Sequence, residues 1–409
     1  MSVSIRFIMI LALTALILPH NSSILAQETT QTVGIEEIIV TARKREESLQ
    51  DVPIAITAIT EALEDSTIRT VADLSGFSPN VVIGMGAGAR ARGSAISLRG
   101  INSNESDKSF DPKISVEIDG ITIGTNSGQI IENFDLERIE ILRGPQGTLF
   151  GKNTNGGVIR VMRSRPTGEF GGKLQIDVGE WDQEEFRALI NTPIIEDVLA
   201  LKLFATSIKS DGHLYNTTLK TDVPGKDYLN TGATFLWTPN ENFELLFTAE
   251  TFDDSSDLGA WTNQNASTST ICRNFDPTDI DTGLPKTGDA LALSQQFNPN
   301  GYPTCKAFDK GTSETTTSQD NKNQGQFDTD AFTLQMTYDL NDNNSLTYIG
   351  GYRDEYEKSD WEYDATAMDY INIFAENYYE QESHELRLET NFDNATLTTG
   401  IYVWESTYH

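Results

Sequence analysis

The chain has 409 residues, 38% hydrophobic and 22% charged, with a formal net charge of -31 at pH 7. So polar a composition excludes a bundle of membrane-spanning helices. So negative a charge repels a phosphate backbone and argues against nucleic acid as a partner.

Arg6 supplies a single positive charge ahead of the apolar run 7–18, which Pro19 breaks before the small residues Ser23 and Ala26. This is the layout of a secretory signal peptide, residues 1–26, too short to span a bilayer. Export permits disulfides, so Cys272 and Cys305, the only cysteines, read as a loop-closing disulfide rather than a metal site. After cleavage His213, His384 and His409 remain, far apart, and neither H-E-x-x-H nor G-x-S-x-G occurs. No metal, cofactor or catalytic residue is expected.

Residues 27–47 form a polar leader interrupted by a short β-prone run at 35–42. Residues 48–168 mix short apolar runs with Gly-rich turns. The pattern predicts a strand over 52–59, a short helix over 70–74 ended by Gly76 and Pro79, and strands over 114–118, 139–142 and 158–162. The result is a compact α+β domain. Residues 84–89 fit G-x-G-x-x-A, but the sequence that follows, Arg90-Ala91-Arg92-Gly93-Ser94, starts no amphipathic helix, so the segment reads as a flexible loop. Arg90 and Arg92 either face an external cavity and attract an anionic ligand or line the gap to the neighbouring domain.

From about residue 170 the period becomes two. Leu199, Leu201, Leu203 and Ala205 alternate with Ala200, Lys202, Phe204 and Thr206. Phe332, Leu334, Met336 and Tyr338 alternate with Thr333, Gln335, Thr337 and Asp339. One apolar and one polar face per segment is what a transmembrane β-barrel strand requires, because lipid demands the first and a plugged or wet lumen accepts the second. Trp181, Trp237, Tyr348, Tyr352, Trp361 and Trp404 suit interfacial girdles. The longest loop, about 253–330, carries 12 acidic and 5 basic residues. Residues 169–409 supply eight or nine such strands. A barrel wide enough to enclose a plug has about 22, so the chain is expected to hold the N-terminal part of the barrel and not to fold alone, with two sheet edges left open.

Several of these segments resemble one known family in order along the chain. Glu36, Glu37, Ile38, Ile39, Val40, Thr41 and Ala42 resemble the TonB box of TonB-dependent receptors, the outer-membrane iron-siderophore receptor family. Residues 52–57 are similar to the opening strand of its plug, and Leu98-Arg99-Gly100, residues 116–120, residues 137–147, Gly151 and residues 155–159 to its later plug motifs. The resemblance implies an α+β plug inside a transmembrane antiparallel β-barrel of the Gram-negative outer membrane. It also implies a transporter rather than an enzyme, with outer-membrane lipid around it. The resemblance further implies that TonB, with ExbB and ExbD, grips residues 36–42 from the periplasm by adding them to a sheet edge. In the family, plug arginines pair with barrel glutamates, so Arg99, Arg143 and Glu385 are expected to form a lock, unless they are solvated surface charges. With fewer than ten residues between Gln27 and the box, no extra signalling domain is expected. The expected cargo is a ferric siderophore. The alternatives are an oligosaccharide, cobalamin or an aromatic compound on the same architecture, or a secreted β-rich binding protein.

Overall fold

Short β-branched runs between glycine turns build the first part of the structure, a computed structural model that describes residues 38–45, 47–60, 69–85, 92–103, 108–130, 132, 134–262, 276–279, 282–297, 315–363, 365 and 372–409. The signal peptide, the leader up to Glu37, Arg90 and both cysteines lie outside the described residues.

Strand β1 (Ile39–Val40) pairs antiparallel with β2 (Glu47–Ser48). Then follow β3 (Ile56–Ile59), a 3-10 helix (Val71–Gly76), β4 (Val81–Met85), β5 (Ser94–Leu98), β6 (Ile101–Ser103), β7 (Ile114–Ile118) and β8 (Ile121–Thr122). β9 (Leu136–Arg143), the one-turn helix α1 (Gly147–Phe150) and β10 (Gly157–Arg163) complete this part. Five strands form one sheet in the order β3-β9-β10-β7-β8, and β4, β5 and β6 form a second. The expected strand over 52–59 begins only at Ile56, in keeping with Pro53, which has no N–H for a ladder bond. The core between the sheets and the 3-10 helix is aliphatic: Val71, Leu74, Ile96, Leu98, Ile114, Val116, Ile139 and Ile159 are all at most 1% exposed.

The second part is a meander of long strands. In order they are β11 (Gly171–Val178), β12 (Glu184–Ile195), β13 (Leu199–Ser210), the short β14 (Leu214–Asn216) and β15 (Thr221–Val223), β16 (Lys226–Asn240) and β17 (Phe243–Asp254). After helix α2 (Gly288–Phe297) and the short β18 (Thr316–Thr317) come β19 (Gln324–Asn341), β20 (Asn344–Glu362), β21 (Asn372–Phe392) and β22 (Ala395–Tyr408). Nine of them make one sheet, each antiparallel to its sequence neighbour in it, and β15-β14-β18 form a small sheet in the loops. At one end the sheet strands are joined by turns of two or three residues (196–198, 241–242, 342–343, 393–394). At the other, connections reach the length of 255–323.

Burial in this sheet is the reverse of that in a soluble protein. Lys202 is 0% exposed, as are Glu355 and Glu357, while Leu174 and Ile176 are each 65% exposed and Ile401 70%. The outward face carries the aligned row Leu245, Met336, Tyr348, Leu386 and Ile401 across five strands. Six residues nearer the long-loop end it turns acidic, with Asp330, Asp354 and Glu380 opposite one another. A soluble sandwich would bury the leucines and hydrate the lysine. This wall does the opposite, as a surface facing lipid outside and a polar filling inside must. Among the described residues no helix is long and apolar enough to cross a membrane, which does not bear on crossing by strands.

Two girdle assignments are corrected. Trp361 is 4% exposed and packs with Leu258 and Phe327, with Trp261 and Tyr363 against its ring. Trp404 points inward, so close to Gly124 that a Cβ there would meet its ring at 2.7 Å. Neither ring lies on the lipid face, because each falls on the inward parity of its strand.

Candidate coupling site

The end of the box-like segment is built into the first domain. Val40 and Ala42 are fully buried. Between them the Thr41 N–H donates to Glu140 Oε1 at 2.8 Å, and Arg160 Nη1 donates to the Thr41 carbonyl at 2.8 Å and to its hydroxyl at 2.5 Å. Sheet register explains the cluster. Arg160 on β10 stands opposite Glu140 on β9 and beside Glu117 on β7. The guanidinium therefore sits between two carboxylates, at 2.9 Å from Glu140 and 3.0 Å from Glu117. Burial opposes its charge, but the two carboxylates outweigh burial and raise its pKa. Just beyond, Glu47 accepts from both Arg43 and Arg45. Burial works against its ionised form, yet these bonds hold its pKa below the ordinary value.

Lys44 joins this cluster to the barrel wall. Its ammonium lies 3.3 Å from Glu385 on β21, 3.6 Å from Glu117 and 4.6 Å from the centre of the Phe150 ring. Its φ is 62°, the left-handed region that a non-glycine residue occupies only when its surroundings hold it there. Glu385 also binds Arg387 at 2.5 Å. Beside them lies a cavity of about 220 Å³, lined by α1, Thr122 and residues 398–402 of β22.

The expected lock is thus corrected in its members. Glu385 does face the plug, but its partners are Lys44 and Arg387. Arg143 donates to the Thr57 hydroxyl at 3.0 Å and the Pro79 carbonyl at 3.4 Å, inside its own domain. Arg99 is exposed, at φ 51° in the turn after β5. Arg92 lies in the gap between the domains, the other reading left open above: its guanidinium is ion-paired with Asp254 on β17 and stacks 4.2 Å from the Tyr228 ring and 4.7 Å from that of Phe252.

Other fasteners went unread in the sequence. Lys202 reaches Asp135 at 2.6 Å, and Arg163 binds Asp119 at 3.5 Å and Glu250 at 2.5 Å. Arg165 pairs with Glu244, Arg187 with Glu132 at 3.4 Å, and Lys108 with Glu355 and Glu357 at 3.3 and 3.2 Å. Their signal was a charged residue at an inward position of an alternating strand, as at Lys202, Glu250 and Glu355. The partner on the other domain has no sequence signature.

Residues 48–158 match the TonB-dependent Receptor Plug Domain family. The chain carries the plug domain of a TonB-dependent receptor. Among curated proteins it is similar to the pesticin receptor of Yersinia pestis, 28% identical over 216 residues, which are 52% of this chain and 30% of that receptor. It is also similar to the ferrioxamine receptor of Yersinia enterocolitica, 25% identical over 50% of this chain and 28% of the relative. The ferric yersiniabactin uptake receptor FyuA from Yersinia pestis shares the fold, with a TM-score of 0.66 at 19% identity over 87% of this chain and 49% of that one. The siderophore receptor PiuA from Acinetobacter baumannii does so at a TM-score of 0.67 and 14% identity, over 92% and 48%. The receptor chain thus spans about half the length of these solved structures. Its first domain is the plug, and its nine-stranded sheet has the fold of the barrel wall in these solved structures.

Proposed function

We propose that the receptor takes up a scarce solute across the outer membrane, with a ferric siderophore as cargo, powered by TonB pulling on residues 36–42. The observation that carries this reading is the position of Thr41. A pull on the segment before it is delivered directly to Arg160 and Glu140 in the central strands of the plug sheet. No bond of the cargo is made or broken, so the receptor acts as a transporter and not as an enzyme. The names of similar proteins, a ferrioxamine receptor and a ferric-pyoverdine 358 receptor among them, support the choice of cargo.

The test uses the full-length receptor in a strain without other siderophore receptors, offered radiolabelled iron as ferrioxamine, ferric yersiniabactin or ferric pyoverdine. Uptake of one chelate, lost on deleting 36–42 with surface binding retained, is the expected result. Uptake that survives the deletion overturns the coupling, and no uptake of any iron chelate overturns the cargo. A second cargo class, ring-bearing solutes such as oligosaccharides, draws on one observation: Trp261 and Tyr363 are 48% and 58% exposed and flank the Trp361 ring at the long-loop end.

A further inference from the structure

Within the nine described strands of the wall the plug is fastened unequally at the two ends of the stretch. Toward β11, β12, β13 and β17 it is held all along its length: Arg69 binds Asp177 and Glu185, Arg92 binds Asp254, Glu132 and Asp135 are bound by Arg187 and Lys202, and Arg163 and Arg165 bind Glu250 and Glu244. Along β21 and β22 the one ion pair with the plug among the described residues is Lys44 on Glu385, and Lys44 comes two residues after the box-like segment. On that side, too, a cavity already separates α1 from β22.

From this asymmetry, and resting on the coupling reading above, we infer that the solute's route opens along the β21–β22 side, through the 220 Å³ cavity, and that Lys44 is the bolt that keeps it shut. Three features act together. Among the ion pairs that join plug to wall, that of Lys44 is nearest the pulled segment, so it takes the load early. Its left-handed backbone relaxes once the side chain lets go. When it leaves, no buried carboxylate is stranded, because Glu385 keeps Arg387 and Glu117 keeps Arg160. The walls then present paired charges and the hydroxyls of Thr122, Thr398 and Tyr402, a lining for a hydrated polar solute.

The test needs neither TonB nor cargo, so its failure is separate from failure of the coupling reading. Full-length receptor with Cys272 and Cys305 changed to serine is placed in a planar bilayer in 0.1 M KCl, and ion conductance is recorded. Wild type and Lys44→Arg are expected to stay closed, and Lys44→Met to show openings. Adding Leu149→Cys and Thr398→Cys to Lys44→Met and bridging the two thiols with a short bismaleimide should abolish the openings. Bridging Arg165→Cys to Glu244→Cys on the opposite side should leave them intact. Silence of Lys44→Met overturns the bolt, as does matching conductance of Lys44→Arg. Openings that survive the Leu149–Thr398 link, or vanish equally with either link, overturn the route.

Discussion

Gly157 begins β10 at φ 146°, and a Cβ there would lie 2.2 Å from the Leu142 carbonyl and 2.8 Å from a Leu98 methyl. Backbone strain of this kind alone costs about 1–3 kcal/mol. Gly157→Ala is therefore expected to lower the temperature at which the plug of the full-length receptor becomes protease-sensitive; an unchanged temperature would contradict the geometry. Lys202 makes a different argument. Its ammonium is fully buried against Asp135 and the Ser164 carbonyl. Lys202→Met strands a carboxylate, and removing one partner of a buried pair costs about 3–5 kcal/mol. The same protease assay should show a loosened plug, and replacing Asp135 by Asn as well should recover part of the loss. The alternating pattern of β13 put Lys202 on the polar face. It could not name Asp135, 67 residues earlier, because that contact exists only once the plug sits in the lumen.

At the scale of elements, the β1–β2 hairpin holds the box-like segment. Glu47 anchors it, and its pKa is held below the ordinary value by Arg43 and Arg45 against the opposing effect of burial. For a carboxyl depressed in the folded state, the added stability is present above its ordinary value and is lost as pH falls through the depressed one. The hairpin should therefore stay closed through neutral pH and open in acid. A spin label at Ile39, 43% exposed, would report this, and mobility already high at pH 7 would contradict it. Thr41→Val removes the hydroxyl that accepts from Arg160 and should mobilise the same label at every pH. The existence of these elements was legible from β-branched runs and turn glycines, and so was the run at 35–42. The lock was not. Arg99 and Arg143 matched a family motif, but the fold turns both away from Glu385, and Lys44 in the unremarkable stretch Arg43-Lys44-Arg45 takes their place.

At the scale of the whole molecule, the wall is sorted inside out. Leu334 lies on the outward apolar belt between Phe247 and Gly350. Leu334→Arg should cost about 2–4 kcal/mol if that face meets lipid at mid-depth, measured as reduced heat resistance of the folded barrel band on a gel. No change would mean that the face is wet. The sequence by itself determined the two-part architecture, the parity of strands such as β13 and β19 and the acidic long-loop end, because periodicity and composition are local properties that the solvent on each side imposes residue by residue. Only the tertiary structure decided which charges meet, that Arg92 stacks in the seam, and that Trp361 and Trp404 turn inward. Those contacts join residues tens to hundreds of positions apart, and their geometry is set by how the plug seats in its wall.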